Sequence, residues 1–237
     1  MRKMASKTFL AVMLLIVVFF ISGCGSSTDG NVKNAAYEII DDQGAIIQLE
    51  HKPERILTLA MGTDSIVLGI LPEEKLIAIN SLADDPVSSN IVDKANRITR
   101  KIKNPSAEEI LSLKPDVVFI YNWGKAEMVD NLRELGIKVV VVKGPKSIAD
   151  VKENVKLIAK TLGEEDKGNL MIAKMDDKLA EIKEKVDNIK PEERKKLVLI
   201  SLMTSYGGKG CTFDDICQYA GVINLSLIHI SEPTRPL

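Results

Sequence analysis

Two runs limit the fold more than anything else in the sequence: Val117-Val118-Phe119-Ile120-Tyr121 and Val139-Val140-Val141-Val142. Each is apolar at every position, so neither face of such a strand can meet water. Strands of that kind belong to parallel sheets covered by helices on both sides. Their surroundings alternate in the same sense. Strands are expected over 55–60, 75–79, 116–121 and 137–142, and helices over 63–70, 106–113 and 125–135. Ser106 followed by Glu109 reads as a capping box, and Gly136 closes the third helix. Ahead of them, 37–40 and 45–49 flank Asp41-Asp42-Gln43-Gly44, the signal of a hairpin.

The most periodic segment follows. Ile148, Val151, Val155, Ile158 and Leu162 share one helical stripe, with Ser147 as the opening cap and Gly163 as the stop. At ~1.5 Å per residue this helix is roughly 24 Å long. A second amphipathic helix turns Met175, Leu179, Ile182 and Val186 inward, and Pro191 ends it. A strand over 197–202 and a helix over 212–220, with Thr212 and Asp215 as its cap pair, then begin a further unit. The fold class expected is α/β: two Rossmann-like lobes joined by one long helix, the second lobe incomplete in this chain.

The two ends read differently. Arg2, Lys3 and Lys7 precede an apolar run over 9–21. That run is shorter than the roughly 20 residues that span a bilayer, and has the form of a secretory signal peptide. It ends in Ile21-Ser22-Gly23-Cys24, which resembles a lipobox, so Cys24 is the expected lipidation site and residues 24–33 a flexible tether. Apart from lipid such as palmitate at Cys24, no covalently bound cofactor is expected. Leu225 to Arg235 resembles the conceptual translation of a sequencing-library adapter, so 225–237 is read as foreign to the protein and the second lobe as cut short. Apolar positions such as Val198 and Leu202 would then lack partners, and the chain as it stands is expected to fold poorly.

Four further stretches carry a resemblance. Lys52-Pro53-Glu54-Arg55-Ile56 resembles the entry to the first lobe in the solute-binding proteins for ferric siderophores, haem and cobalamin. The run from Pro105 to Val118 matches their helix–turn–strand motif. Leu135-Gly136-Ile137-Lys138-Val139 matches the next turn, and Phe213 to Ile216 with Ala220 to Asn224 the start of the second lobe. The resemblance covers 37–224. It implies a first lobe over 34–146, an inter-lobe helix over 147–162, a second lobe begun over 163–224, and a ligand held between the lobes. It further implies delivery to an ABC permease and its ATPase, with Glu108 as a permease-docking carboxylate, and a monomer anchored on the outer face of the cell membrane.

The candidate binding residues follow from a rule independent of that resemblance: ligands of open α/β sheets sit beyond the carboxyl ends of the strands. Those positions hold Met61, Thr63, Asn80, Tyr121, Asn122, Trp123, Lys143 and Tyr206. Beyond the leader there are two Phe, four Tyr and one Trp, and three of these seven are Tyr121, Trp123 and Tyr206. Aromatic rings offer large contact area at low entropic cost, which suits a flat or macrocyclic ligand, and the resemblance implies that this ligand is an iron chelate or a corrinoid. No catalytic residues are expected, because no Ser–His–Asp set and no phosphate-binding glycine pattern is present. Cys211 and Cys217 are read either as a disulfide or as two buried thiols. A net charge of −1 leaves no footprint for nucleic acid. Two alternatives stay open: a zinc or manganese importer lipoprotein, disfavoured by a single credible histidine, His51, and a surface lipoprotein that only binds other proteins.

Overall fold

The computed structural model describes residues 37–124, 126–200 and 206–226. The expectations for Cys24, the leader, the tether and 227–237 lie outside these residues. The described residues all belong to one compact unit, Ala36–Leu237.

The alternating pattern becomes a five-stranded parallel sheet. Strands β3 (Ile56–Thr58), β4 (Leu76–Asn80), β5 (Lys101–Ile102), β6 (Val117–Tyr121) and β7 (Val139–Val142) lie in the order β5-β4-β3-β6-β7. Helices α1 (Met61–Ile70), α2 (Val92–Ala95), α3 (Ala107–Ser112) and α4 (Ala126–Glu134) make the crossovers. Because side chains alternate along a strand, each apolar run supplies both layers. Val117, Phe119 and Tyr121 point into a core shared with Ile66 and Val67 of α1 and with Val155 and Ile158. Val118 and Ile120 point the opposite way, into a core built with Ile110, Val129 and Leu132. Each fully buried aliphatic side chain contributes roughly 1.5–3 kcal/mol.

The edge of β7 is covered. Hairpin β1 (Tyr37–Ile40) and β2 (Ile46–Leu49) turns through Gly44 at φ 78°, where glycine avoids the cost of a Cβ. The buried Asp41 carboxylate accepts from Gln43 N and Ala45 N at 2.9 Å, from Val141 N at 3.1 Å and from Arg133 at 2.7 Å. Asp42 N donates to Val141 O, so the turn occupies hydrogen-bonding positions that an edge strand otherwise leaves open.

Helix α5 (Ile148–Leu162) has the expected ends. Ser147 Oγ accepts from Asp150 N, and Gly163 stands at φ 64°. Helix α6 (Glu165–Asp187) is longer, and its expected inward stripe of Met175, Leu179, Ile182 and Val186 is only half-buried. After it, β8 (Lys196–Leu197) pairs in parallel with β9 (Ile223–Asn224), and α7 (Thr212–Tyr219) lies between them in sequence.

Three sequence expectations change. The strand expected over 197–202 is two residues long, and Leu197 and Val198 are 45% and 41% exposed. Residues 201–202 fall outside the described residues. Cys211 and Cys217 are both free thiols, the second buried. Thr212 and Asp215 do not cap their own helix, whose N-cap is Cys211. Thr212 Oγ1 instead donates to Pro145 O at 2.9 Å, and Asp215 accepts from Ile148 N at 2.7 Å. Both side chains tie α7 to the approach to α5, and Asp215 supplies an acceptor for one of the free N–H groups of the helix end.

Candidate functional site

The strand order reverses between β3 and β6: the chain builds β3, β4 and β5 outward, then returns to add β6 and β7 on the other side. A crevice opens beyond the carboxyl ends at such a switch point. It is present here as an open pocket of about 630 Å³. Leu59 and Ala60 line it after β3, Asn80 and Ser81 at the end of β4, Lys103 and Asn104 after β5, and Tyr121 and Trp123 at the end of β6.

The aromatic pair forms one wall. Tyr121 and Trp123 have ring centroids 4.4 Å apart and planes tilted by 40°. Tyr121 is 7% exposed, whereas Trp123 is 67% exposed. One ring is anchored in the core and the other offers its surface. Two glycines make room for them. A Cβ on Gly62 would stand 2.1 Å from the Tyr121 hydroxyl oxygen, and one on Gly144 would stand 2.0 Å from Trp123 Cε3. Burial, and secondly the charge of Asp64, pushes the Tyr121 phenol up to about 12, so it stays a donor at neutral pH. The turn carrying Trp123 is clamped on both sides: Asn122 Nδ2 donates to Asp42 at 2.7 Å, and Asn122 Oδ1 accepts from Gly144 N at 3.0 Å.

Polar groups converge on the same space. Asn80 Oδ1 accepts from Leu82 N at 2.9 Å and its amide reaches Leu59 O at 3.4 Å, which fixes the side chain at the rim. Lys103 is exposed, and among the described lining residues it alone carries a full charge. Asn104 adopts φ 49°, a left-handed backbone that asparagine tolerates better than most residues.

The structure therefore gathers Asn80, Tyr121 and Trp123 of the expected binding residues and leaves the others outside. Thr63 is fully buried, with Oγ1 donating to Ala60 O at 2.7 Å, so it faces the protein interior. Met61 starts α1 half-buried and does not line the pocket. Asn122 stands behind Trp123 as its clamp. Lys143 pairs with Asp150 at 2.6 Å, and that hydrogen bond raises the lysine's pKa. Tyr206 is 54% exposed and does not line the pocket; it stands in the segment before α7, where its carbonyl accepts from the Cys211 thiol. Lys103, Asn104, Leu59 and Met128 are lining residues that sequence reasoning missed. The signal for the first two was topological, since a parallel unit between α2 and α3 requires a strand there. Among the described residues no cluster of His, Cys, Asp or Glu is arranged to hold a metal ion.

Glu108 does not line the pocket; it is exposed on the first turn of α3, just after the lining residues Asn104 and Pro105. A hydrogen bond with Ser106 lowers its pKa, so it is fully ionised at neutral pH.

Comparison with known proteins comes to the same architecture. A family profile described as periplasmic binding protein matches residues 60–230. The chain is 23% identical over 196 residues to an uncharacterised ABC transporter substrate-binding lipoprotein of Bacillus subtilis, covering 78% of this chain and 61% of that one. It is 26% identical over 196 residues to a probable siderophore-binding lipoprotein of the same organism, covering 78% and 57%. The chain thus spans about three fifths of the length of these curated relatives. A periplasmic solute-binding protein from Veillonella parvula superposes with a TM-score of 0.65 at 22% identity, over 80% of this chain and 60% of that one.

Proposed function

The chain belongs to the periplasmic binding protein family, and we propose that it is the ligand-receiving front part of the extracytoplasmic lipoprotein of an ABC importer. In this reading it is anchored through lipid on Cys24 and takes an iron chelate or corrinoid: a ferric siderophore, haem or cobalamin. The permease and its ATPase are its partners, and Glu108 is the docking carboxylate on this lobe.

One observation carries the reading: the pocket at the carboxyl edge of the sheet combines a broad aromatic wall with a cation. The exposed Trp123 ring, seated on the buried Tyr121, presents a face suited to a large flat or globular ligand. Lys103 favours a ligand with acidic groups, as ferric chelates of carboxylates or catecholates and the haem propionates have. The mechanism asked of such a site is capture and release. Affinity comes from apolar contact with the Trp123 ring that Tyr121 supports, orientation from Asn80 and Lys103, and no bond is made or broken.

The experiment is a calorimetric panel in which the protein is titrated with ferric siderophores, haem, cobalamin, zinc and manganese. Binding of at least one chelate or corrinoid, with no saturable binding of the bare metal ions, is the expected result. Saturable zinc or manganese binding with no response to any chelate would overturn the reading in favour of a metal importer.

A further inference from the structure

Beneath the pocket lies a buried carboxylate that the binding surface does not use. Asp64, in the first turn of α1, is fully buried, as is Thr58 at the end of β3. Its two oxygens are divided between two strands. Oδ1 accepts from Thr58 Oγ1, and Oδ2 accepts from the backbone N–H of Asn80 at 3.2 Å. Thr58 closes β3 and Asn80 closes β4, two neighbouring strands of the sheet. The third strand facing Asp64 is β6, which contributes the Tyr121 phenol. Tyr121 is the only titratable group there among the described residues, and no cation pairs with Asp64.

We propose that Asp64 is the positioning residue of the pocket, holding the carboxyl ends of β3 and β4 together so that Asn80 and Tyr121 meet the ligand in one fixed arrangement. The proposal rests on the reading of this pocket as the ligand site.

The geometry gives the arrangement a dependence on protons. An ionised Asp64 accepts from both strand ends at once. A protonated one can still accept from the Asn80 N–H, but its O–H must donate to Thr58 Oγ1, which reverses that bond and turns the threonine hydrogen away. Burial pushes this carboxyl up to about 7, while the Thr58 and Asn80 hydrogen bonds act in the opposite direction. The exchange between the two states thus falls near neutral pH. A bound anion placed over Tyr121 adds negative charge nearby and favours the protonated form, so binding of an anionic chelate takes up a proton.

Trp123 reports on this without any ligand, because it is the single tryptophan of the chain and its ring packs on Tyr121. The test follows Trp123 emission from pH 5 to 9 with His51 and His229 both replaced by glutamine, so that no histidine titrates in the window. The expected result is an emission change with a midpoint near pH 7 that disappears in Asp64→Asn, an isostere that cannot ionise. Thr58→Val removes a hydrogen bond to the ionised form and moves the midpoint to higher pH. A flat profile in the parent protein, or a transition that persists unchanged in Asp64→Asn, overturns the proposal. Where Asp64→Asn does not fold, Thr58→Val decides: a raised midpoint supports the role and an unmoved one contradicts it. The same variants are titrated with ferric citrate, haemin and cyanocobalamin. Failure of every probe at every pH beside an intact Trp123 transition counts against the pocket reading and leaves the Asp64 assignment standing.

Discussion

Asp215 on α7 accepts a hydrogen bond at 2.7 Å from the backbone N–H of Ile148, the first residue of α5, 67 positions earlier in the chain. The start of α5 therefore has two side-chain acceptors: Ser147 Oγ, which accepts from Asp150 N, and the Asp215 carboxylate, which comes from outside the helix. A carboxylate at a helix N-terminus also meets the positive end of the macrodipole. Asp215→Ala should lower stability by about 1 kcal/mol, within the usual range for a lost cap. Asp215→Asn, which keeps an acceptor, should recover most of it. Chemical denaturation of the three proteins measures the order.

Gly144 is expected to set the attitude of the Trp123 indole. Its backbone does not require glycine through a positive φ, but a methyl group there would stand about 2 Å from two ring carbons. Gly144→Ala should turn the indole off its seat, shift Trp123 emission, and weaken ligand binding while leaving the melting temperature nearly unchanged. Emission spectra, a thermal melt and one ligand titration distinguish this from general unfolding.

Asp64 makes stability depend on pH with a definite sign. Its folded-state pKa of about 7 lies above that of an unfolded aspartate, so between roughly pH 4 and pH 7 the folded chain holds the extra proton. Stability contributed by this group is thus complete at low pH and is lost as pH rises through about 7. Relative to Asp64→Asn, the parent protein should lose roughly 3 kcal/mol between pH 5 and pH 8, at about 1.4 kcal/mol per pH unit below the folded pKa. Urea unfolding of both proteins at the two pH values gives the difference directly.

Cys24 and Glu108 separate anchoring from docking. Cys24→Ala should leave the precursor unprocessed and unlabelled by radioactive palmitate. Glu108→Ala should be lipidated and bind ligand normally, while uptake by cells falls, because the exposed Glu108 side chain does not line the pocket. Loss of ligand affinity in Glu108→Ala would place the residue in the binding machinery instead.

Much of the five-stranded sheet and of α5 was legible because the signals are local. Val117 to Tyr121 and Val139 to Val142 are apolar at every position, and Ser147 and Gly163 mark their helix by chemistry that acts within one turn. Strand β5 escaped because it is two residues long and its first residue, Lys101, is polar. With it went Lys103 and Asn104. Thr212 and Asp215 were misread for the opposite reason. Asp215 does satisfy the start of a helix, but it is α5 rather than its own, and Thr212 donates to the Pro145 carbonyl just ahead of α5. Asp64 carries no sequence signal beyond being an acidic residue in a first helical turn. Only the parallel pairing of β3 with β4 brings Thr58 and the Asn80 N–H against it. The aromatic positions fared unevenly for a related reason. The carboxyl-end rule finds Tyr121 and Trp123, but a strand end says nothing about which way the following residue turns, and Thr63 and Lys143 turn elsewhere.

The central claim is that ligand is received against the Tyr121–Trp123 wall at the carboxyl edge of the sheet. It is tested most directly by titrating a ligand found in the calorimetric panel into the parent protein and Trp123→Ala, with Trp123 emission and heat measured together. Quenching of Trp123 in step with the binding isotherm is expected, because iron- and corrinoid-centred ligands absorb near its emission. Affinity should fall by about 1–3 kcal/mol in Trp123→Ala, as for an anchoring aromatic residue. Unchanged affinity in Trp123→Ala, together with an unquenched indole in the parent protein at saturation, would contradict the account.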